Sequence, residues 1–227
     1  MKTITIIQPG RLGDLIICLP IAKHYKDLGY RVIWPVNNIY KDMMQHVVDY
    51  VEFKPVTNDV YRCILEAYSY VIDDYVDVAA TFPGSKCTEE YVKLGDGFGP
   101  EKFDEFKYRK ANVPFDKKWQ LSYVRDIEKE NDLYNLYVKQ DKYIVIGLNH
   151  SKGRVNFDIQ TDKQVIELNE KHNIFDWRKI LENARYLVLV DSAMANLVEQ
   201  LNIQSDKILI RKPGQPTPTF RNKWTYK

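Results

Sequence analysis

Cysteine is scarce in this chain of 227 residues, which contains Cys18, Cys63 and Cys87 and no CxxC pair. So sparse and odd a set, with no zinc-ligand spacing, excludes a disulfide framework and favours a reducing compartment. Long apolar runs are also missing: none approaches the length of a membrane span, and residues 4–7 are too few for a signal peptide. We therefore expect a cytoplasmic protein, one that could still work as a peripheral protein at a membrane.

Neither sign of charge is in excess, because 33 Lys and Arg residues balance 31 Asp and Glu residues and the formal net charge is +2. This balance excludes a generally basic nucleic-acid coat but leaves room for a local basic patch. The end of the chain is one candidate, since it carries no acidic residue from position 207 onward. The cations of this tail are Lys207, Arg211, Lys212, Arg221, Lys223 and Lys227.

An apolar content of 44% and a charged content of 28% are ordinary for a globular protein. Apolar segments alternate with segments of helical periodicity, which predicts an α/β fold built on doubly wound parallel sheets. The predicted strands are residues 3–8, 31–36, 51–53, 68–73, 143–148, 165–168, 186–190 and 207–210. The predicted helices are residues 15–28 (with a kink or new turn at Pro20), 38–46, 176–184 (with Asp176 as a candidate N-cap) and 193–201.

The alternation is interrupted in the middle of the chain. Residues 95–100 form the clearest breaker cluster, and the polar segment 101–138 follows, with residues 128–132 expected to be a solvated helix surface. The α/β order restarts near Tyr143. The sequence thus predicts an N-terminal Rossmann-like domain at 1–138 and a C-terminal one at 139–227 with a return tail. The second domain is abbreviated, because Leu148 and Val165 leave hardly any room between them for a helix.

Two glycines, Gly10 and Gly13, lie in the turn after the first predicted strand, where ligands bind in open α/β sheets. This turn lacks the GxGxxG pattern, the acid at the end of the second strand and the Gly-Lys-Ser/Thr sequence, so we do not expect it to hold NAD or the phosphates of ATP. It presents Asp14 at the start of a helix, whose positive end favours the carboxylate form. Asp14 is therefore either a general base toward a hydroxyl or a simple helix cap.

Two further loops have anion-binding character. The turn at residues 190–196 joins an apolar strand to a helix that Ser192 can cap, and the free N–H groups there suit a diphosphate, although a plain capped helix fits equally well. The loop at residues 149–154 contains Ser151, Lys152 and Arg154. Its cations could neutralise a leaving phosphate or could simply be solvated.

Together these loops resemble the heptosyltransferase family of GT-B glycosyltransferases (glycosyltransferase family 9). Residues 10–20 are similar to the family's opening, with its "R-x-G-D" turn and the "L-P" of the next helix, and Gly29 precedes a second strand. Residues 68–73 resemble the family's "YD-x-VID" strand. Residues 177–203, centred on Asp191-Ser192-Ala193-Met194-Ala195-Asn196-Leu197, are similar to its "D-T/S-G-x-x-H-L" donor-site helix.

The resemblance implies two Rossmann-like domains facing a cleft, the first for the acceptor and the second for a nucleotide-sugar donor. It implies an inverting, metal-independent transfer that needs no cofactor beyond the nucleotide-sugar co-substrate. Asp14 matches the family's catalytic base. The residues that fall in the acceptor cleft are Gly10, Arg11 and Gly13. The residues that fall in the donor site are Ser151, Lys152, Arg154, Asp191, Ser192, Ala193, Met194 and Asn196.

Several alternatives stay open. The acceptor could be a lipopolysaccharide or capsule glycan, or a modified base in DNA, for which the basic tail is the motive. A non-catalytic nucleotide- or sugar-binding module, or a subunit of a larger transferase, is motivated by the short second domain and by two departures from the family, Ala193 for glycine and Asn196 for histidine. No metal site is expected, and the adjacent acids Asp73, Asp74 and Asp77 are interpreted as surface or acceptor-cleft residues.

Overall fold

The computed structural model describes residues 1–80, 82–93, 101–150, 153–211 and 216–227. The predicted breaker cluster at 95–100 lies outside these residues, as do Ser151, Lys152 and Lys212. The chain divides into two compact units. The first consists of Met1–Val124 with Pro216–Thr219, and the second of Arg125–Gln215 with Phe220–Lys227. In the described part of the chain, no helix has the length and apolarity that a membrane crossing requires.

The first unit is built on a four-stranded parallel sheet in the order β3-β2-β1-β4. Its strands are β1 (Thr3–Ile7), β2 (Arg31–Asn37), β3 (Glu52–Val56) and β4 (Asp74–Asp77). Its helices are α1 (Leu12–Asp27), α2 (Asn38–Gln45), α3 (Arg62–Tyr68), α4 (Lys86–Lys93) and α5 (Phe103–Lys110), with a 3₁₀ helix at Phe115–Trp119. Because crossovers between parallel strands are right-handed, α1 and α2 cover one face of the sheet and α3 covers the other.

The prediction of a strand at residues 68–73 is wrong. Tyr68 is the last residue of α3, and the fourth strand is Asp74–Asp77, which pairs with β1 from Ile4 to Ile7. The apolar side chains of Tyr68, Tyr70 and Val71 pack on the cluster between α3 and the sheet instead. The apolar run at residues 68–73 thus fills the end of a helix and the turn after it, although its sequence resembles that of a buried strand.

The second unit contains a five-stranded parallel sheet in the order β11-β10-β9-β5-β8 and a small antiparallel pair, β6 with β7. Its strands are β5 (Tyr143–Gly147), β6 (Asn149–His150), β7 (Gly153–Arg154), β8 (Gln164–Glu167), β9 (Tyr186–Val190), β10 (Asp206–Ile210) and β11 (Thr225–Tyr226). Its helices are α6 (Ile127–Tyr137), α7 (Arg178–Asn183) and α8 (Ala193–Gln200), with a 3₁₀ helix at Ile174–Trp177. The strand β11 was not expected from the sequence.

Helix α6 belongs to the second unit, so the units divide between Val124 and Arg125, not at residue 138 where the sequence predicts the boundary. Leu133 of α6 joins the core of the second sheet. Glu130, expected on a solvated surface, is 1% exposed and accepts hydrogen bonds from Arg125. The candidate N-cap Asp176 is also wrong, because the Asn173 side chain caps the 3₁₀ helix by accepting from the Phe175 N–H.

The two faces of the second sheet are covered differently. On one face of the sheet, side chains such as Val145 and Leu189 pack under α6, α7 and α8. On the opposite face, side chains such as Ile146 and Val188 pack under Val155, Phe157 and Ile159, which belong to the crossover between β5 and β8. The predicted shortage of space between Leu148 and Val165 is thus met by an extended segment in place of a helix.

The C-terminal tail is tied to the two units by buried carboxylates. Within the first unit, the Thr219 N–H donates to Asp104 Oδ2 at 2.9 Å, and Lys118 Nζ donates to the Thr219 carbonyl at 2.6 Å. Within the second unit, Glu199 accepts from Trp224 Nε1 at 2.8 Å and from the Arg221 N–H at 2.8 Å. These contacts order a proline-rich segment that the sequence predicts only to begin as a loop.

Candidate active site

The strand order of the first sheet reverses between β1 and β4, which places the residues after these two strands at the position where open α/β sheets bind ligands. The turn after β1 is fixed from several sides. The Asn37 N–H donates to the Pro9 carbonyl at 2.6 Å, Gln8 Nε2 donates to the Gly10 carbonyl at 2.9 Å, and Trp34 Nε1 donates to the Gln8 carbonyl at 2.9 Å. The predicted glycine turn is therefore a rigid part of the edge.

Gly10 and Arg11 show why this turn has its sequence. A Cβ at Gly10 would lie 2.1 Å from Asn37 Oδ1 and 2.9 Å from Phe82 Cζ, so only glycine fits. Arg11 has φ 59° and its guanidinium lies 5.5 Å from the centre of the Phe82 ring. A non-glycine residue in this conformation is uncommon and strained, and such residues are concentrated at functional sites. Gly13 lies within the first turn of α1.

Asp14 is the third residue of α1 and is 8% exposed. The N-cap position belongs to Arg11, which makes no side-chain capping bond, so the cap interpretation of Asp14 does not describe its place in the helix. The Asp14 carboxylate instead faces the side chain of Lys107, with Nζ 3.1 Å from Oδ1. Asp14 is therefore a nearly buried carboxylate at the switch point, held beside a cation.

Lys107 is a functional candidate that the sequence did not reveal. It comes from α5, is completely buried and donates to Gln8 Oε1 at 2.5 Å and to the Val78 carbonyl at 2.6 Å. Burial alone would lower the pKa of Lys107, but the Asp14 carboxylate, together with the Cys18 and Cys87 side chains, holds that pKa above its ordinary value. One signal existed: Lys107 follows Phe103 and Phe106 at the spacing of a buried helix face.

The acids near β4 have structural partners. Asp77 is 9% exposed and accepts hydrogen bonds from Tyr68 Oη at 2.8 Å, from Ser85 Oγ at 2.9 Å and from the Cys87 N–H at 3.2 Å. Asp73 accepts from the Thr3 N–H at 2.8 Å. Asp77 thus organises the segment after β4 and is not the surface or cleft residue that we expected.

The strand order of the second sheet reverses between β5 and β9, and the predicted turn at Asp191 and Ser192 follows β9. Asp191 is buried, while Ser192, Ala193 and Met194 remain partly exposed at the start of α8. Ser192 occupies the N-cap position, but its hydroxyl makes no capping bond. The first N–H groups of α8 are therefore not claimed by the cap side chain, as an anion-binding helix start requires.

Asn196 stands where the resemblance has histidine. It is 5% exposed, and its Nδ2 donates to the Ser192 carbonyl at 3.0 Å. Its Oδ1 is buried and has no hydrogen-bond partner among the described residues. Buried polar atoms are nearly always paired, so an open acceptor beside the helix start is consistent with a ligand group there.

The third loop is the least defined of the predicted site segments, since Ser151 and Lys152 lie outside the described residues. Arg154, in β7, is exposed and forms an ion pair with Glu167 at the end of β8. An exposed pair of this kind is weak, so Arg154 can exchange Glu167 for a phosphate at little cost. Within the described ranges, no three His, Cys, Asp or Glu side chains come together as a metal-binding group.

No protein-family model matches the chain, and no curated protein matches it in sequence. Solved structures do match. A glycosyl transferase family 9 protein from Veillonella parvula has a TM-score of 0.59 at 11% identity, over 100% of this chain and 86% of its own. The E. coli ADP-heptose lps heptosyltransferase II has a TM-score of 0.60 at 12% identity, over 100% and 90%. The iron-containing dodecameric glycosyltransferase TibC of enterotoxigenic E. coli has a TM-score of 0.60 at 15% identity, over 99% and 62%.

Each of these neighbours is a glycosyltransferase, and the likeness covers both units of the chain. Identities this low establish the fold and leave the activity to be argued from the site. The chain therefore has the Rossmann-like α/β fold of the heptosyltransferases and other family 9 glycosyltransferases.

Proposed function

We propose that this protein is an inverting glycosyltransferase that moves a sugar from a nucleotide-sugar donor to an acceptor hydroxyl, with Asp14 as the general base. The observation that carries the proposal is the nearly buried Asp14 carboxylate, which lies at the switch point of the first sheet beside Lys107. The fold shared with glycosyltransferases supports the reaction class.

In this reaction the acceptor hydroxyl gives its proton to the Asp14 carboxylate as its oxygen attacks the anomeric carbon. The new carbon–oxygen bond forms as the bond from the anomeric carbon to the diphosphate breaks, and the electron pair leaves with the diphosphate. The charge that develops there is stabilised by the N–H groups at the start of α8 and by the cations of the third loop. The proposed transfer needs no metal, since helix and cations supply the charge stabilisation.

The donor is proposed to be a nucleoside diphosphate sugar. ADP-heptose is the natural first probe, since it is named for one structural neighbour, and lipopolysaccharide is named for the same protein. Asn196 and Ala193 would affect which donor sugar is accepted, because they stand where the heptosyltransferase family has histidine and glycine. DNA gains no support as an acceptor, and Lys207 of the basic tail is buried, with Nζ donating to the Ile203 carbonyl.

The test begins with thermal shift measurements on UDP-, GDP-, ADP-, dTDP- and CMP-sugars, because a ligand that binds only the native state raises its stability. Transfer is then measured from the donor that binds, with lipopolysaccharide lacking heptose as the first acceptor, in the presence and absence of EDTA. We expect transfer that EDTA does not abolish. Donor binding without transfer to any acceptor would favour the non-catalytic binding module and overturn the proposal.

Asp14→Asn tests the base directly. Removal of a general base lowers the rate by about 10²- to 10⁴-fold, whereas donor binding should be nearly unchanged because Asp14 lies in the first unit. Asp74→Asn is the matched control, since Asp74 is an exposed acid of the same sheet. Normal turnover by the Asp14→Asn protein would remove Asp14 from the mechanism.

A further inference from the structure

The Lys107 ammonium has three polar neighbours that come from three different parts of the first unit. Its Nζ lies 3.1 Å from Asp14 Oδ1, 2.5 Å from Gln8 Oε1 and 2.6 Å from the Val78 carbonyl oxygen. The contacts to Gln8 and Val78 are hydrogen bonds, and the contact to Asp14 is an ion pair. Gln8 follows β1 and Val78 follows β4, which means that the ammonium sits between the two strand ends at the switch point.

We propose that Lys107 is the positioning residue of Asp14: its ammonium fixes the direction in which the carboxylate faces the acceptor hydroxyl. This inference rests on the proposed role of Asp14 as general base. The oxygen that faces Lys107, Oδ1, is buried, so the exposed part of Asp14 is the rest of its side chain. Lys107 thus contacts a buried oxygen of the carboxylate, and 9% of the Asp14 side chain is exposed.

The other charged and titratable groups around Lys107 do not compete with Asp14. Cys18 approaches from α1 and Cys87 from α4, and burial raises the pKa of each thiol to about 12, which leaves both neutral at pH 7. Asp104 of α5 acts on Cys18, but its carboxylate is paired with Lys118, with Nζ 2.6 Å from Oδ2. The positive charge of Lys107 is therefore matched by the Asp14 carboxylate.

The Lys118–Asp104 pair supplies a matched control within the same unit. Both side chains are 0% exposed, and the pair holds Thr219 of the return tail. Lys118→Met removes a buried ammonium from a carboxylate just as Lys107→Met does, but away from Asp14. Any loss of stability that comes only from an uncompensated buried charge should therefore appear in both variants.

The experiment compares Lys107→Met, Lys107→Arg and Lys118→Met in transfer from ADP-heptose to lipopolysaccharide lacking heptose. We expect Lys107→Met to lower kcat about 10- to 100-fold with little change in the donor KM, because a misdirected general base slows the chemical step without weakening donor binding. Lys107→Arg should restore much of the rate, and Lys118→Met should lower stability while leaving kcat nearly unchanged. An unchanged kcat in Lys107→Met, or an equal loss of kcat in Lys118→Met, would overturn the proposal.

A second measurement needs no substrate. The side-chain ammonium of Lys107 is titrated by NMR in the native protein and in Asp14→Asn. We expect the pKa of Lys107 to fall in Asp14→Asn, because burial then acts without the opposing carboxylate. An unchanged pKa would overturn the coupling of the two residues. Full transfer by Asp14→Asn with a lowered Lys107 pKa would instead remove the base assignment while leaving the coupling intact.

Discussion

The two parallel sheets differ in how their faces are covered. In the first unit, helices pack on both faces, because the crossovers to β2 and β3 run to one side of β1 and the crossover to β4 runs to the other. In the second unit, α7 and α8 cover one face, and the opposite face is covered by Val155, Phe157 and Ile159 of an extended segment. The second unit therefore keeps its sheet while replacing one crossover helix with a few side chains.

The missing helix of the second unit can affect function only near the crossover from which it is missing. The extended segment lies in the crossover from β5 to β8, next to the third loop with Arg154. The edge formed by β9 and α8, with Asp191, Ser192 and Asn196, belongs to a crossover that has kept its helix. The short crossover of the second unit thus does not by itself remove the helix start at Ser192.

The difference in how the two sheets are covered can be tested by truncating, in each unit, one side chain that packs on the sheet. This test has the largest expected effect. Leu19 in α1 is completely buried, so Leu19→Ala should lower the free energy of unfolding by about 2–5 kcal/mol. Phe157 is half-buried, so Phe157→Ala should cost only about 1–2 kcal/mol. Urea denaturation measures both losses. Equal losses would show that the extended segment is packed as tightly as a helix and would erase the distinction.

A smaller effect concerns the glycines that end or follow the first strand of each sheet. A Cβ at Gly10 would meet Asn37 Oδ1 at 2.1 Å, and Asn37 is itself held by a hydrogen bond to the Thr57 carbonyl. A Cβ at Gly147 would meet Leu189 Cδ2 at 2.9 Å and Leu168 Cδ1 at 3.0 Å, which are the ends of flexible side chains.

We therefore expect Gly10→Ala to lower the free energy of unfolding by about 1–3 kcal/mol and Gly147→Ala by less, roughly 1 kcal/mol. Thermal unfolding of the two variants beside the native protein gives the comparison. If Gly147→Ala proved the more damaging, the second sheet would be the more rigid of the two at this edge.

Strand prediction succeeded where the sequence is locally decisive and failed where the tertiary structure decides. The runs at β1, β2, β9 and β10 are apolar enough to indicate buried strands. Strand β4, with the sequence Asp-Tyr-Val-Asp, has little apolar character, so the more apolar residues 68–73 give the stronger strand signal. Pairing with β1 selects β4, and pairing cannot be seen in one segment alone.

The candidate site shows the same division. Asp14 follows a strand and a glycine turn, so the signal that makes it a candidate lies within fifteen residues. Lys107 comes from a helix in the charged middle of the chain, and a lysine is almost never completely buried unless it is paired. Only the fold brings α5 against the start of α1. The alternating apolar residues at 155, 157 and 159 were also available as a signal, but they indicate an extended segment without saying what it covers.

The smallest expected effect is chemical, and it concerns the cysteines, all three of which lie buried in the first unit. Burial raises the pKa of Cys18 and Cys87 from 9.0 to about 12, so at pH 8 only about one thiol in 10⁴ is a thiolate. We expect the native protein to resist a thiol reagent at pH 8 and to label fully after denaturation. Rapid labelling of Cys18 in the native protein would contradict the closed packing of α1.

The pH dependence of this labelling gives the sign of a stability effect. Below pH 9 both thiols are protonated in the folded and unfolded chains, so they contribute no pH dependence. Between about pH 9 and 12 the unfolded chain releases these protons and the folded one does not, so the free energy of unfolding falls as the pH rises. Over this range of pH, the labelling rate should rise by more than the increase in the thiolate fraction alone would produce. Phe157→Ala, in the unit without cysteines, should leave the labelling rate unchanged if its effect is confined to the second sheet.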